Sequence, residues 1–219
     1  MKSAKLLSVL LVIACFAGIC NAQPFAEDIA AFKKADALKF PPKHAILFVG
    51  SSSFTKWTDV QDYFPGYTII NRGFGGSTLP DVIRYAGQVI YPYQPKEIVI
   101  YCGENDVASS DTVTAQIVFE RFKQLFGMIR TNLPKTKVVF ISLKPSPSRW
   151  KMQDRVTAAN KLISAYINNQ KNAMFIDVYH KMLGADGLPL PGIFIEDSLH
   201  MNAQGYAIWK KEIEPVLMK

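Results

Sequence analysis

Short apolar runs and longer amphipathic stretches take turns along almost the whole chain. Residues 45–49, 67–70, 97–101, 137–143 and 173–178 are the short runs. Runs of this length with few polar interruptions predict strands buried on both faces, as in a parallel sheet. Between and around them, residues 24–39, 79–89, 112–132, 153–169 and 202–217 carry apolar side chains at helical spacing. The clearest is 112–132, where Val113, Ile117, Phe122, Leu125, Phe126 and Ile129 fall on one face. Pro41-Pro42, Pro92, Pro95 and Leu133-Pro134 punctuate the pattern where helices must stop or loops begin. Strand and helix alternating five times predict an α/β domain, a parallel sheet with helices on both faces.

The first 22 residues follow a different pattern. Lys2 and Lys5 precede an apolar run over 6–19, which ends in Cys20-Asn21-Ala22 and then Gln23-Pro24. A basic start, a short apolar stretch and a small-residue site predict a signal peptide over 1–22, cleaved after Ala22. The run is short for a transmembrane span. The expected product is a secreted or periplasmic single domain, 23–219, with no stable membrane insertion. Val12-Ile13-Ala14-Cys15 offers a lipoprotein-type site as the alternative, leaving a lipid-anchored Cys15. It is the less favoured, because 16–20 stays apolar where a lipoprotein tether is polar.

Length and charge narrow the classes. The chain has 219 residues, enough for one full core. Loss of Lys2 and Lys5 lowers the formal net charge from +7 to +5, and the basic residues are scattered. That distribution fits a solvated surface, and no nucleic-acid partner is expected. After cleavage Cys102 is the sole cysteine, so no intramolecular disulfide forms. His44, His180 and His200 lack metal-ligand spacing, and no metal or cofactor is expected. Sequence does not fix the oligomeric state.

Candidate chemistry gathers at the ends of the expected strands. The first strand runs into Gly50-Ser51-Ser52-Ser53, the second into Asn71-Arg72-Gly73-Phe74-Gly75-Gly76, the third into Gly103-Glu104-Asn105-Asp106. In a parallel sheet these ends share one edge, where open α/β sheets bind ligands. Asp197 and His200, three apart before the last helix, can share a turn. The carboxylate then orients the imidazole, which is left to take a proton from a serine hydroxyl. For a lone Asp-x-x-His, a helix-capping pair is the commoner explanation. Gly75-Gly76 lets backbone approach closely, so the Gly76 N–H can serve an oxyanion, and the Asn105 amide can supply a second donor. The first turn lacks the Gly-x-Ser-x-Gly elbow, with Phe54 in place of the second Gly. Thr78 similarly breaks a dinucleotide fingerprint.

Taken in order, these four blocks resemble those of the SGNH hydrolases, also called the GDSL esterase and lipase superfamily. The resemblance covers 46–209. It implies a three-layer α/β/α sandwich, flavodoxin-like, with a five-stranded parallel sheet. It also implies Ser52 as nucleophile, His200 as base oriented by Asp197, and oxyanion donors from Ser52, Gly76 and Asn105. The family's first block usually reads Gly-Asp-Ser; here Ser51 replaces the Asp, which supports the loop.

The implied activity is hydrolysis of a carboxylic ester through an acyl-serine, without metal or cofactor. Trp57, Phe74, Trp150 and Phe194 lie in or beside the active loops and are candidate substrate contacts; such aromatics are about as often local core. Arg72, Lys144 and Arg149 are candidates for an anionic substrate. With no inserted lid in sight, a short acyl group is expected, such as acetyl on an exported glycan. The alternatives are a lysophospholipase, acetylhydrolase or thioesterase acting on lipid, and an inactive glycan-binding module.

Overall fold

The computed structural model describes residues 23–219. The expected signal peptide, its cleavage site and Cys15 lie outside the described residues.

Five parallel strands make one sheet: β1 (Ile46–Gly50), β2 (Ile69–Gly73), β3 (Glu97–Tyr101), β4 (Lys137–Ile141) and β5 (Ala173–Ile176). Their order is β2-β1-β3-β4-β5, the flavodoxin-like arrangement. The expected five-stranded parallel α/β sandwich is therefore the observed fold. The helices are α1 (Ala26–Leu38), α2 (Ser52–Thr55), α3 (Val60–Tyr63), α4 (Leu79–Val89), α5 (Glu104–Ser109), α6 (Ala115–Asn132), α7 (Gln153–Ile167) and α8 (Ala203–Ile213).

Side chains alternate across each strand, so β1, β3 and β4 feed two cores. Leu47, Val49, Ile98, Ile100, Val138 and Phe140 meet α4, α6 and α7 on one face. Ile46, Phe48, Val99, Val139 and Ile141 meet Phe54, Trp57, Phe64 and the α8 residue Trp209 on the other. Strands buried on both sides explain why the sequence runs were continuous and not alternating.

Element boundaries differ from expectation where polar residues join regular structure. β2 starts at Ile69 and extends through Asn71 and Arg72 to Gly73, in register with Ile46 to Gly50 of β1. Asn71 belongs there because its Nδ2 donates to the Phe54 and Trp57 carbonyls, at 2.7 and 3.4 Å. The polar block Gly103 to Asp106, read as a loop at the third strand's end, runs from Glu104 into α5. The helix expected to begin at 112 begins at Ala115, because Thr114 caps it by accepting from the Ile117 N–H. The last helix ends at Ile213, and Pro215 sits in a following 3-10 turn.

The carboxyl edge of the sheet is knitted at Gly50. Its carbonyl accepts the Phe74 N–H at 2.9 Å and the Ser77 hydroxyl at 3.1 Å. The next N–H, of Ser51, donates to the Tyr101 carbonyl at 3.0 Å. Gly50 has φ 144°, and a Cβ there would stand 1.9 Å from the Tyr101 oxygen. Only glycine meets both conditions. Gly50→Ala is expected to cost about 3 kcal/mol or more of stability, read from urea unfolding midpoints; an unchanged midpoint would show that β3 yields freely.

Candidate active site

α2 separates the three adjacent serines. Ser51 precedes the helix in extended conformation and is buried, and Ser53 is buried with its carbonyl accepting the Tyr206 hydroxyl at 2.8 Å. Ser52, at the first helical position, is half-buried, and its Oγ lies 2.8 Å from His200 Nε2.

The His200 end is a tight turn. Asp197 Oδ2 lies 2.5 Å from His200 Nδ1, while Oδ1 accepts the Leu199 and His200 N–H groups at 2.9 and 2.8 Å. Partial burial opposes the Asp197 charge, but the His200 side chain and these two N–H groups outweigh it and hold the carboxyl at about 2. The ionised Asp fixes Nδ1 as the proton-bearing nitrogen, which turns Nε2 towards Ser52 as acceptor.

The other strand ends supply donors. Gly76 has φ 85°, and neither its N–H nor that of Ser52 has a hydrogen-bond acceptor among the described residues. A Cβ on neighbouring Gly75 would lie 4.0 Å from Ser52 Cβ, which brings this loop beside Ser52. Asn105, in the first turn of α5, gives one Nδ2 hydrogen to the Ser77 carbonyl at 3.0 Å. The same α5 turn also anchors the loop before α4. Asp106 is fully buried, accepts the Leu79 N–H at 2.9 Å and pairs with Arg121 at 2.8 Å. The structure thus brings Ser52, Asp197 and His200 into contact and sets Gly76 in the loop beside Ser52, with Asn105 of α5 tied to that loop through Ser77.

The aromatic expectations need correction. Trp57 is fully buried, stacked on Tyr206 at 4.6 Å within the core between the sheet and α8. Phe74 is fully buried in the opposite core, against Phe25 and Tyr85. Neither is available to substrate, because each loop turns its large apolar side chain inward to seal the sheet's edge. Trp150 and Phe194 are half-buried and remain accessible.

The expected cations are also absorbed internally. Arg72 pairs with Asp36 of α1 and donates to the Tyr93 hydroxyl. Lys144 is 1% exposed and pairs with Glu104 at 2.7 Å. Arg149 reaches Glu104 at 3.5 Å and Asn105 Oδ1 at 2.9 Å. Sequence reasoning missed two neighbours. Phe25, just before α1, lies 3.8 Å from where a Gly76 Cβ would be. Ser148 donates its N–H to the Ser198 carbonyl, tying the loop after β4 to the Asp197–His200 turn. Phe25 stood out only as an apolar residue of the expected first helix; Ser148 gave no signal.

A doubly wound α/β domain with serine, histidine and aspartate joined at its carboxyl edge is a hydrolase-type scaffold. The sequence model of the GDSL-like Lipase/Acylhydrolase family matches residues 46–208, and the chain belongs to that family. Solved structures agree on the fold. A provisionally assigned platelet activating factor from Streptococcus pneumonia superposes with TM-score 0.76 at 17% identity, covering 88% of this chain and 92% of its own. A GDSL-like lipase from Bacteroides thetaiotaomicron gives TM-score 0.70 at 24% identity, with coverages of 85% and 95%. A catalytic mutant of an acetylxylan esterase from Geobacillus stearothermophilus gives 0.62 at 14%, with coverages of 80% and 94%. No curated protein matches the chain.

Two outcomes follow from this geometry. Trp57→Ala should lower unfolding free energy by about 3–5 kcal/mol, as chemical denaturation will show; a shift below 1 kcal/mol would mean that the indole is not core. Asp197 has a folded value of about 2 against an ordinary 3.8, so its stabilisation is complete above about pH 4 and is lost as pH falls towards 2. Asp197→Asn should therefore flatten the fall of the urea midpoint across that window, and an unchanged slope would contradict the pairing.

Proposed function

We propose that this family member is a serine acylhydrolase acting on short-chain esters, with acetyl on a carbohydrate as the favoured substrate. The contact that carries this reading is Ser52 Oγ to His200 Nε2 at 2.8 Å, with Asp197 on the far side of the ring. Three weak signals in sequence become one hydrogen-bonded line.

Ser52 Oγ attacks the ester carbonyl while His200 Nε2 takes its proton. The carbonyl oxygen gains negative charge and is met by the Ser52 and Gly76 N–H groups and the Asn105 amide. Collapse breaks the ester bond, and the alcohol leaves with the proton from His200. Water then attacks the acyl-serine, again deprotonated by His200, and the acid departs as Ser52 recovers its hydrogen. Asp197 stays ionised throughout, stabilising the imidazolium formed in each half.

The short-acyl reading is supported by the short connections at the strand ends, which carry no inserted lid: α2 begins at Ser52 after β1 ends at Gly50, α4 at Leu79 after Gly73, and α5 at Glu104 after Tyr101. Cavities of about 340 and 480 Å³ lie along α7 and β5 and beside Pro95 and Leu133, and Ser52 lines neither. The export expected of residues 1–22 argues against a cytosolic thioester, and the fold is shared with an acetylxylan esterase as well as with a GDSL-like lipase. The enzyme would act outside the cytoplasm on the acetylated glycan itself.

Ser52→Ala should reduce hydrolysis of nitrophenyl acetate by about 10³-fold or more, while Ser51→Ala and Ser53→Ala, if folded, retain it. Full activity in Ser52→Ala would remove the proposal. Rates across acetyl, butyryl and octanoyl esters should fall with length, with acetylated xylan preferred over lysophospholipid; the opposite order would establish the lipid-directed alternative.

A further inference from the structure

Behind Asn105 lies a set of charges that the proposed chemistry does not use. Glu104 is 3% exposed. Its Oε2 accepts the Tyr101 hydroxyl at 2.5 Å and the Lys144 ammonium at 2.7 Å. Its Oε1 accepts the Ser146 hydroxyl at 2.5 Å and faces Arg149 Nη1 at 3.5 Å. Burial works against the carboxylate, yet Lys144 and Arg149 outweigh it and keep the group below its usual range. A buried ion cluster of this kind is costly to assemble unless every partner is satisfied. Here the cluster ends in a single outward contact, Arg149 Nη2 to Asn105 Oδ1 at 2.9 Å.

That contact decides which way the Asn105 amide faces. An amide has one acceptor oxygen and two N–H donors. Asn105 spends one N–H on the Ser77 carbonyl and its oxygen on Arg149. A reversed amide would set its oxygen against the Ser77 oxygen and its NH₂ against a guanidinium that has only donors. Both ends oppose reversal, so the second N–H is held free. The guanidinium brings a positive charge to the amide oxygen. By drawing electron density from the amide oxygen it also strengthens the remaining N–H as a donor.

We infer that Arg149, seated on the buried Glu104 carboxylate, is a positioning residue for the oxyanion: it fixes and polarises the Asn105 amide and does not bind substrate. This rests on the serine acylhydrolase reading. It also explains why a cation in a strand-end loop, exposed by sequence pattern, is mostly covered: its side chain is 19% exposed. Lys144 neutralises the same carboxylate from within, and the Ser148 to Ser198 bond holds the loop that carries Arg149 against the base turn.

The test is a double-mutant cycle on acetyl ester hydrolysis. Arg149→Met should lower kcat by about 10- to 100-fold, part of the roughly 10²–10³ that one oxyanion donor supplies, with KM nearly unchanged. In an Asn105→Ala background the same substitution should change kcat by less than about 2-fold, because its route of action is gone. Arg149→Lys, which retains the Glu104 charge pair but lacks the fork, should fall between wild type and Arg149→Met, and it replaces Met in the cycle if Arg149→Met does not fold. Equal losses in both backgrounds, or a rise in KM alone, would overturn the inference and make Arg149 a substrate contact or a structural group. Ser52→Ala, assayed alongside, separates the failures: if it is active, the serine reading falls; if it is inactive and the cycle is additive, only the role of Arg149 falls.

Discussion

The end of β1 at Gly50 is the constraint on which the site depends. One peptide there is bonded to β3 through the Ser51 N–H and to the loop after β2 through the Gly50 carbonyl. Ser52, Gly76 and Asn105 each sit a few residues beyond one of those three strand ends. Their relative placement is thus set by sheet hydrogen bonds and not by flexible loops. A nucleophile and its oxyanion donors need positions good to a fraction of an ångström. A backbone junction with no room for a Cβ is one way to hold them.

The fold was legible because burial on both faces leaves an unmistakable pattern: apolar runs without alternation, each followed by a helix-spaced stretch. The third strand matches its expected bounds, and the first, fourth and fifth differ by only one or two residues at their ends. β2 shifted further, to 69–73, because an edge strand can hold Asn71 and Arg72, polar residues that read as loop. The grouping of Ser52 with Asp197 and His200 was legible from the order of the blocks, one after the first strand and one before the last helix. The choice among three serines came from family likeness, and only helix phase, with Ser51 and Ser53 turned inward, gives it a physical cause. Trp57 and Phe74 were misplaced because the sequence of a loop does not say which side of the sheet's rim an aromatic ring will occupy. Arg72, Lys144 and Arg149 looked like free cations because their partners, Asp36 and Glu104, lie 36 to 45 positions away along the chain.

Charge in this protein is used internally more than its surface composition suggests. Asp106 holds the start of α4, Glu104 gathers Lys144 and Arg149, and Asp36 ties α1 to β2 through Arg72. Each is a carboxylate whose burial is tolerated because cations or backbone N–H groups surround it. These pairs add polar links between elements that the apolar cores also join. Asp197, with a 44% exposed side chain, is more open to solvent than these carboxylates.

The distance along the chain between Ser52 and His200 has a consequence for biosynthesis. Ser52 and His200 are 148 positions apart, and the helix that follows His200 completes the second core with Tyr206 and Trp209. A nascent chain can carry Ser52, Gly76 and Asn105 and still lack His200. The contact to Ser52 forms only once the helix after His200 has emerged and docked, so that one hydrogen bond reports that both cores are in place.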